Sequence, residues 1–383
     1  MGRSSFKLSF LNNSAGPSRT SFVNDVIPPE LLMEIFISAW WKPLIPFQSS
    51  SNSAQRTAIV LVCKHWKNLV WSTPQLWSRI DVRQKADDLD HVVNHRLRRA
   101  LAHARMAAGT PIYLFIESNR SPTGILNLLA EVADRVVALD INIMAAVWGS
   151  LIKQDPPFCF PQLRSLCVRL ISLADSFPRS ACLNLSERAP LMTSFAASGI
   201  LIYSLKMPWS HLTSLLLEEY NIAQQCIVLQ HCKNLRHLTI WSSIGTGAAW
   251  GEDQPIMLPN LQTFCYEEYT RNRSHLLFNA IVTPRLEVFA GVFFNDSCMG
   301  DVVDFFRRSD PPQLKKIIIS QEKDILHGDL EDLAIGLWSM YPLVTVVGAR
   351  WRCSYRSPVY DWHLQSFERS ADKDVFFVLP SVR

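Results

Sequence analysis

The segment Leu235-Arg-His-Leu238-Thr-Ile240 shows a short pattern, apolar at its first, fourth and sixth positions, that recurs along this 383-residue chain. Such spacing is typical of a strand that buries one face. Eight copies follow one another at steps of 21 to 29 residues, and six of them begin one or two residues after a proline. The copies start at Leu163, Leu191, Leu212, Leu235, Leu261, Leu286, Leu314 and Leu343. Because a lone strand of this kind cannot cover its apolar face, stacked neighbours are expected to form the core.

The spacing falls in the range of leucine-rich repeats, in which each unit contributes one strand and a helix or turn. Weaker copies begin at Ile112 and Val136. We therefore expect an α/β fold, with an N-terminal helical region followed by an irregular leucine-rich-repeat solenoid that has a parallel, strand-lined concave face. The consensus asparagine is missing and the period varies, so an ordinary α/β domain with leucine-rich strands remains the alternative.

The two-residue period of a strand also predicts which side chains face outward. In the quoted unit, the three apolar residues should face the core, and His237, Thr239 and Trp241 the strand-lined surface. Applied to successive strands, the same period brings four candidate target-binding residues to one surface: Arg169, Glu218, Trp241 and Glu267. Tryptophan and arginine are enriched at binding hot spots. Trp241 is expected to be exposed, and its replacement by alanine to weaken target binding without changing stability; the alternative is that all four are ordinary surface residues.

The N-terminal region carries two helical patterns. Residues 27–36 read Ile-Pro-Pro-Glu-Leu-Leu-Met-Glu-Ile-Phe, and residues 59–69 read Ile-Val-Leu-Val-Cys-Lys-His-Trp-Lys-Asn-Leu. Apolar residues in each recur at three- and four-residue steps and so share a helical face. Together the two stretches resemble the F-box of substrate receptors in cullin-RING ubiquitin ligases, whose pattern is a Leu-Pro-like start, Glu-Leu-Leu, Ile-Phe, then Val-Cys-Lys-x-Trp. Ile27 replaces the usual leucine, and the connector at residues 42–54 is longer than the family's.

The resemblance implies that these helices bind a Skp-type adaptor, which joins the receptor to a cullin scaffold. The residues that match the motif, and are therefore candidates to face the adaptor, are Pro28, Leu31, Leu32, Ile35, Phe36, Val62, Cys63 and Trp66. Replacing both Leu32 and Phe36 by alanine is expected to abolish adaptor binding and to leave the repeats folded. An F-box followed by divergent repeats resembles the F-box/leucine-rich-repeat group.

Four segments follow from these patterns: a disordered N-terminal segment (1–22), the F-box (23–82), a connecting helix (83–110) and the repeat solenoid (111–383). The connecting helix is rich in arginine and histidine, and His91 and His95 stand four residues apart on one face. This is the spacing of metal ligands, but the metalloprotease pattern requires glutamate at the position of Val92. A solvated basic helix is the simpler interpretation, and no metal is expected.

Composition narrows the class of protein. Hydrophobic residues make up 48% and charged residues 19% of the chain, which is typical of a globular protein. A net charge of +4 does not by itself indicate nucleic acid as a partner. The nine cysteines are scattered without a Cys-x-x-Cys pair, which favours a reducing compartment. With no signal peptide and no apolar run of membrane-spanning length, no membrane partner is expected and the location should be cytoplasmic, nuclear or both.

The sequence contains no complete catalytic motif. The glycine-rich stretch at residues 245–251 lacks the lysine and serine or threonine of a phosphate loop, and carboxylate pairs such as Glu218-Glu219 point to opposite faces of a strand. We therefore expect no catalytic residues and no cofactor. The F-box resemblance implies a substrate-recognition subunit of an SCF-type ubiquitin ligase whose repeats bind an unknown protein target. The second hypothesis is a repeat-based scaffold without a role in ubiquitylation, and the third is a catalytic α/β enzyme.

Overall fold

The protein is a mixed α/β structure built on one large, mostly parallel sheet. The computed structural model describes residues 27–40, 53–119, 123–153, 157–170, 183–200, 202, 205–242, 255–268, 274–293, 299–321, 335–350 and 375–379. The segment 1–22 and most of the long connector at 42–54 lie outside these ranges. Within them, no helix is both long and apolar enough to cross a bilayer.

Within these described ranges, twelve strands form the main sheet, and they lie side by side in the order in which they occur along the chain. They are β1 (Arg79–Gln84), β2 (Ile112–Ser118), β3 (Val136–Ile143), β4 (Ser165–Leu170), β5 (Ser194–Ser198), β6 (Ser214–Glu218), β7 (His237–Ser242), β8 (Thr263–Glu268), β9 (Val288–Phe293), β10 (Lys316–Gln321), β11 (Thr345–Arg350) and β12 (Val375–Leu379). Neighbours from β1 to β11 pair in parallel, and β12 pairs antiparallel with β11. Every repeat copy in the sequence therefore corresponds to a strand of this sheet.

The helices that lie between the strands cover one face of the sheet, and three further α-helices of the described ranges precede the first strand. The longer ones are α1 (Pro29–Trp40), α2 (Ser53–Val62), α3 (Lys64–Ser72), α4 (Asp90–Met106), α5 (Thr123–Val132), α6 (Ala145–Ile152), α7 (Ile222–Leu229), α8 (Ser274–Ala280) and α9 (Met299–Ser309). From α4 onward each of these helices lies between two consecutive strands of the sheet, as parallel pairing requires a crossover.

The core lies between the sheet and these helices, and it is built from aligned rows of apolar side chains. One row crosses eleven strands in register: Ile80, Leu114, Leu139, Leu166, Phe195, Leu215, Leu238, Phe264, Phe289, Ile317 and Val346. All of these residues are buried. Leu235, Leu238 and Ile240 are fully buried, which confirms the inward positions predicted for that unit.

Two strands extend the sheet beyond the sequence repeats. β1 begins at Arg79, inside the segment assigned above to the N-terminal helical domain, and β12 closes the far edge. The predicted connecting helix is α4, which lies between β1 and β2 and packs Ala100 and Ala104 into the main core. The segment 83–110 is thus the first crossover of the sheet.

The N-terminal helices form a separate small core, which we call the N-terminal cluster. Its buried members are Leu32, Phe36, Val70, Leu76, Trp77 and Ala107. The Phe36 ring packs against Trp66 at a centroid distance of 4.8 Å, and Trp77 contacts His103 of α4 at 5.0 Å. The indole N–H of Trp77 donates a hydrogen bond to the Val70 carbonyl at 3.0 Å, which satisfies this buried donor. The cluster therefore rests on the C-terminal half of α4.

Candidate functional site

The four predicted target-binding residues lie on the sheet face that is turned away from the helices, here called the outer face. Strand register places them in a single row with Ser198 between the first two: Arg169, Ser198, Glu218, Trp241 and Glu267. Adjacent parallel strands lie about 4.8 Å apart, so this row brings the four residues within about 20 Å of one another. The register thus places the four residues in one cross-strand row, as the alternation of the strands predicts; that this row binds a target stays a prediction.

Trp241 is not exposed, contrary to the expectation from sequence. Only 7% of its surface is accessible, and it packs with Cys167, Ala196 and Leu216 in a cluster on the outer face. These three residues are neighbours in the adjoining cross-strand row, and two of them are small. Glu267, beside Trp241 in register, is also buried.

Charged groups lie close together along this row. The Arg169 guanidinium is 3.5 Å from the Glu218 carboxylate, and both side chains are largely shielded from solvent. Asp140 is buried one row away, next to Cys167. Burial, and then the negative charge of Asp140, raise the pKa of the Cys167 thiol well above its ordinary value, so this thiol is protonated.

Glu219 adds a further negative charge at the end of β6. Its backbone has a φ of 64°, which is uncommon for a residue other than glycine, and its N–H donates a 2.9 Å hydrogen bond to the Trp241 carbonyl. Burial and the neighbouring Glu218 carboxylate raise the pKa of Glu219, because both disfavour its charged form. The outer face around Trp241 is therefore acidic, with one arginine among several carboxylates.

The adaptor-facing candidates divide into two groups. Leu32 and Phe36 are buried in the N-terminal cluster and offer no surface to a partner. Cys63 and Trp66 are half-buried, and the exposed candidates are Pro28, Leu31, Ile35 and Val62. Leu31 and Ile35 stand one helical turn apart on α1, and so do Leu32 and Phe36. The first pair faces solvent and the second faces the N-terminal cluster.

Two more exposed apolar residues were missed by reading the sequence. Leu61, at the end of α2, is 76% exposed, and Trp71 of α3 is 54% exposed. Leu61 precedes Val62 in an apolar run that gives no sign of which side faces solvent. Cys63 is the N-cap of α3, and its sulfur accepts a hydrogen bond from the Trp66 backbone N–H at 3.4 Å. This cap separates α2 from α3 and leaves Leu61 and Val62 exposed just before the bend.

His91 and His95 are both exposed on α4. In the described part of the chain, no three His, Cys, Asp or Glu side chains are grouped as metal ligands would be.

No protein-family model matches this chain, and a search of curated proteins returned no relative.

Proposed function

We propose that this chain is the substrate receptor of an SCF-type ubiquitin ligase, of the F-box/leucine-rich-repeat kind. The N-terminal helices bind a Skp-type adaptor, which links the chain to a cullin scaffold. The strands belong to an irregular leucine-rich-repeat solenoid, and the outer face of the sheet binds a protein target. The chain performs no reaction itself; it raises the effective concentration of a target lysine near the transferring enzyme.

The strand order supports the solenoid over an ordinary α/β domain. In a doubly wound α/β sheet the order reverses at a switch point, where the ligand site lies. Here the order follows the chain from β1 to β12 without reversal. Each strand of the main sheet therefore pairs only with the main-sheet strands before and after it in sequence, as expected when repeats stack on their neighbours.

The observation that carries the adaptor proposal is the exposed apolar surface of the N-terminal helices. Leu31, Ile35, Leu61 and Val62 are all at least half exposed, although the same helices bury Leu32 and Phe36 in their own core. A helical unit that has already formed a core, and still presents apolar side chains, has the character of a protein-binding surface.

Titration of the purified full chain with a purified Skp-type adaptor tests this proposal. Leu31→Ala with Ile35→Ala should weaken binding by about 2 kcal/mol or more, which corresponds to at least about 30-fold in Kd, because apolar anchors dominate such interfaces. A matched control is Leu191→Ala with Ile227→Ala, which removes one exposed leucine and one exposed isoleucine from the repeats. Equal affinity of wild type and the first variant would refute adaptor binding by this surface.

A second measurement separates the receptor from the alternative, a repeat-based scaffold without a role in ubiquitylation. The receptor should recover cullin from cells through the adaptor, and the Leu31→Ala, Ile35→Ala variant should lose both proteins together. Recovery of the adaptor without cullin would favour the scaffold.

A further inference from the structure

Positive charge is concentrated in one part of the chain. Residues 53–110 contain ten lysines and arginines against four aspartates and glutamates, a net charge of +6, whereas the whole chain carries +4. The remainder of the chain is therefore slightly acidic. Four of the ten histidines also lie in this segment: His65, His91, His95 and His103.

Much of this charge lies on one face of α4. The inward face of the helix is occupied, because Ala100 and Ala104 are buried in the main core and Ala107 in the N-terminal cluster. The residues at the opposite helical positions are exposed: His91, His95, Arg98, Arg99 and Arg105. Over its 17 residues α4 is about 25 Å long, so this basic face extends over most of that length.

The arginines of α4 differ in their interaction partners. Arg96 forms an ion pair with Asp88 and donates a hydrogen bond to the Arg83 carbonyl. Arg105 forms a solvent-exposed ion pair with Glu131 of α5, at 3.4 Å. In the described part of the chain, no ion pair joins a carboxylate to Arg98 or Arg99. Two adjacent guanidiniums, each able to bind a carboxylate bidentately, are thus presented to solvent.

An exposed aromatic ring borders the same face. Trp71 of α3 packs against Trp77 at 5.4 Å, and Trp77 packs against His103 of α4 at 5.0 Å. His103 follows Arg99 by one helical turn, so this chain of ring contacts reaches α4 one turn from Arg99. Trp71 is 54% exposed, so much of its ring stays open to solvent beside Trp77, and it is separate in sequence from Leu31 and Ile35.

We propose that the basic face of α4, with Trp71 at its border, is a docking surface for an acidic protein segment that carries an aromatic or other large apolar residue. Tryptophan and arginine together are the composition of a protein-binding hot spot. A nucleic acid fits less well, since its affinity depends on many phosphate contacts and, for single strands, on several stacking rings, and this face offers three arginines and one border ring. A membrane fits less well because the apolar side of α4 is already buried.

Fluorescence anisotropy with the full chain and two labelled peptides tests the proposal. The first peptide is oligoglutamate, and the second is identical except for one central phenylalanine. Wild type should bind both, and the phenylalanine peptide more tightly. Arg98→Glu with Arg99→Glu should weaken both by at least about tenfold, because like charges then face each other. Trp71→Ala should remove only the preference for phenylalanine.

The matched control is Arg236→Glu with Arg285→Glu, which makes the same charge change at two exposed arginines of the repeats. It should retain most of the affinity. Equal losses in the two double variants would show a nonspecific charge effect and overturn the proposal. So would tighter binding of duplex RNA or anionic phospholipid vesicles than of either peptide. Adaptor affinity should be unchanged by Arg98→Glu with Arg99→Glu; a parallel loss would mean that α4 belongs to the adaptor surface and is not a separate site.

Discussion

Trp241 is positioned by its strand, but its environment is set by its neighbours. It belongs with Cys167, Ala196 and Leu216 to a small apolar cluster on the outer face of the sheet. Replacing Trp241 by alanine removes most of this cluster, so we expect the free energy of unfolding to fall by about 3 to 5 kcal/mol, as for other buried tryptophans. Denaturant unfolding of the purified chain measures this loss.

The control is Trp71→Ala, which removes an indole that is 54% exposed and should change stability much less. Unchanged stability of Trp241→Ala would contradict the assignment of Trp241 to an apolar cluster. It would also restore the simpler idea of an exposed contact residue. Because the variant is expected to affect folding, loss of target binding by Trp241→Ala alone cannot assign the target site. Glu218 and Arg169, which are paired and less buried, are better positions for that purpose.

Sequence predicted the direction of these side chains and not their exposure. Direction follows from the two-residue period, which every residue of a strand obeys. Exposure depends on side chains from nearby strands, such as Ala196 and Leu216, which are distant from Trp241 in sequence. A strand considered in isolation does not show which side chains will pack against its tryptophan.

At the scale of single elements, α1 shows how one helix can serve two purposes. Leu32, 2% exposed, belongs to the N-terminal cluster, whereas Leu31, 55% exposed, faces solvent. Leu32→Ala should therefore cost about 2 to 5 kcal/mol in the stability of this cluster, and Leu31→Ala less than about 0.5 kcal/mol. Hydrogen exchange of α1 and α3 measures both effects. The two substituted residues are adjacent in sequence.

This contrast changes the expectation for the N-terminal helices. A Leu32→Ala, Phe36→Ala variant could lose adaptor binding because the N-terminal cluster unfolds. The loss would therefore not show that either side chain contacts the adaptor. If Leu32→Ala left the exchange rates of α1 and α3 unchanged, the separation of inward and outward faces on α1 would be wrong. Leu31→Ala is the variant that tests the surface itself.

The strands from β2 to β11 follow the sequence pattern, and the two at the ends of the sheet were not predicted. β1 has only two apolar inward residues, Ile80 and Val82, because its third inward position is Gln84, and it follows the short 3-10 helix at Pro74–Trp77. Two apolar residues in alternation are too few to identify a strand without its neighbours. β12 pairs antiparallel and so departs from the repeat that identifies the others. Both β1 and β12 form strands by pairing with an edge of the sheet.

At the scale of the whole molecule, successive units are joined by repeated hydrogen bonds. The backbone N–H of Arg236 donates to the Thr213 carbonyl at 2.8 Å, and that of Gln262 to the Arg236 carbonyl at 2.9 Å. Side chains repeat the arrangement, since Asn234 donates to the Ser210 carbonyl at 2.8 Å and Asn260 to the Lys233 carbonyl at 3.1 Å. Each unit is therefore fixed chiefly to the one before it.

If the chain is a solenoid, a core defect should be felt mainly by neighbouring units. Phe264 is buried among aromatic rings, with Phe289 at 5.6 Å, Phe278 at 6.1 Å and Phe305 at 6.1 Å. Phe264→Ala should cost about 3 to 5 kcal/mol locally. Hydrogen exchange followed by mass spectrometry should show faster exchange in β7, β8 and β9, with β2 and β3 little changed, because these strands share no contact with the cavity.

Phe195→Ala is the matched variant, since Phe195 occupies the same buried row on β5. Its effect should be centred on β4, β5 and β6, so the two variants should give displaced exchange patterns of similar width. An ordinary α/β domain that unfolds as one cooperative unit predicts something different, because both cavities would then lower protection equally in the slowest-exchanging amides of every strand. Identical exchange patterns in the two variants would therefore refute the solenoid and favour a single cooperative domain.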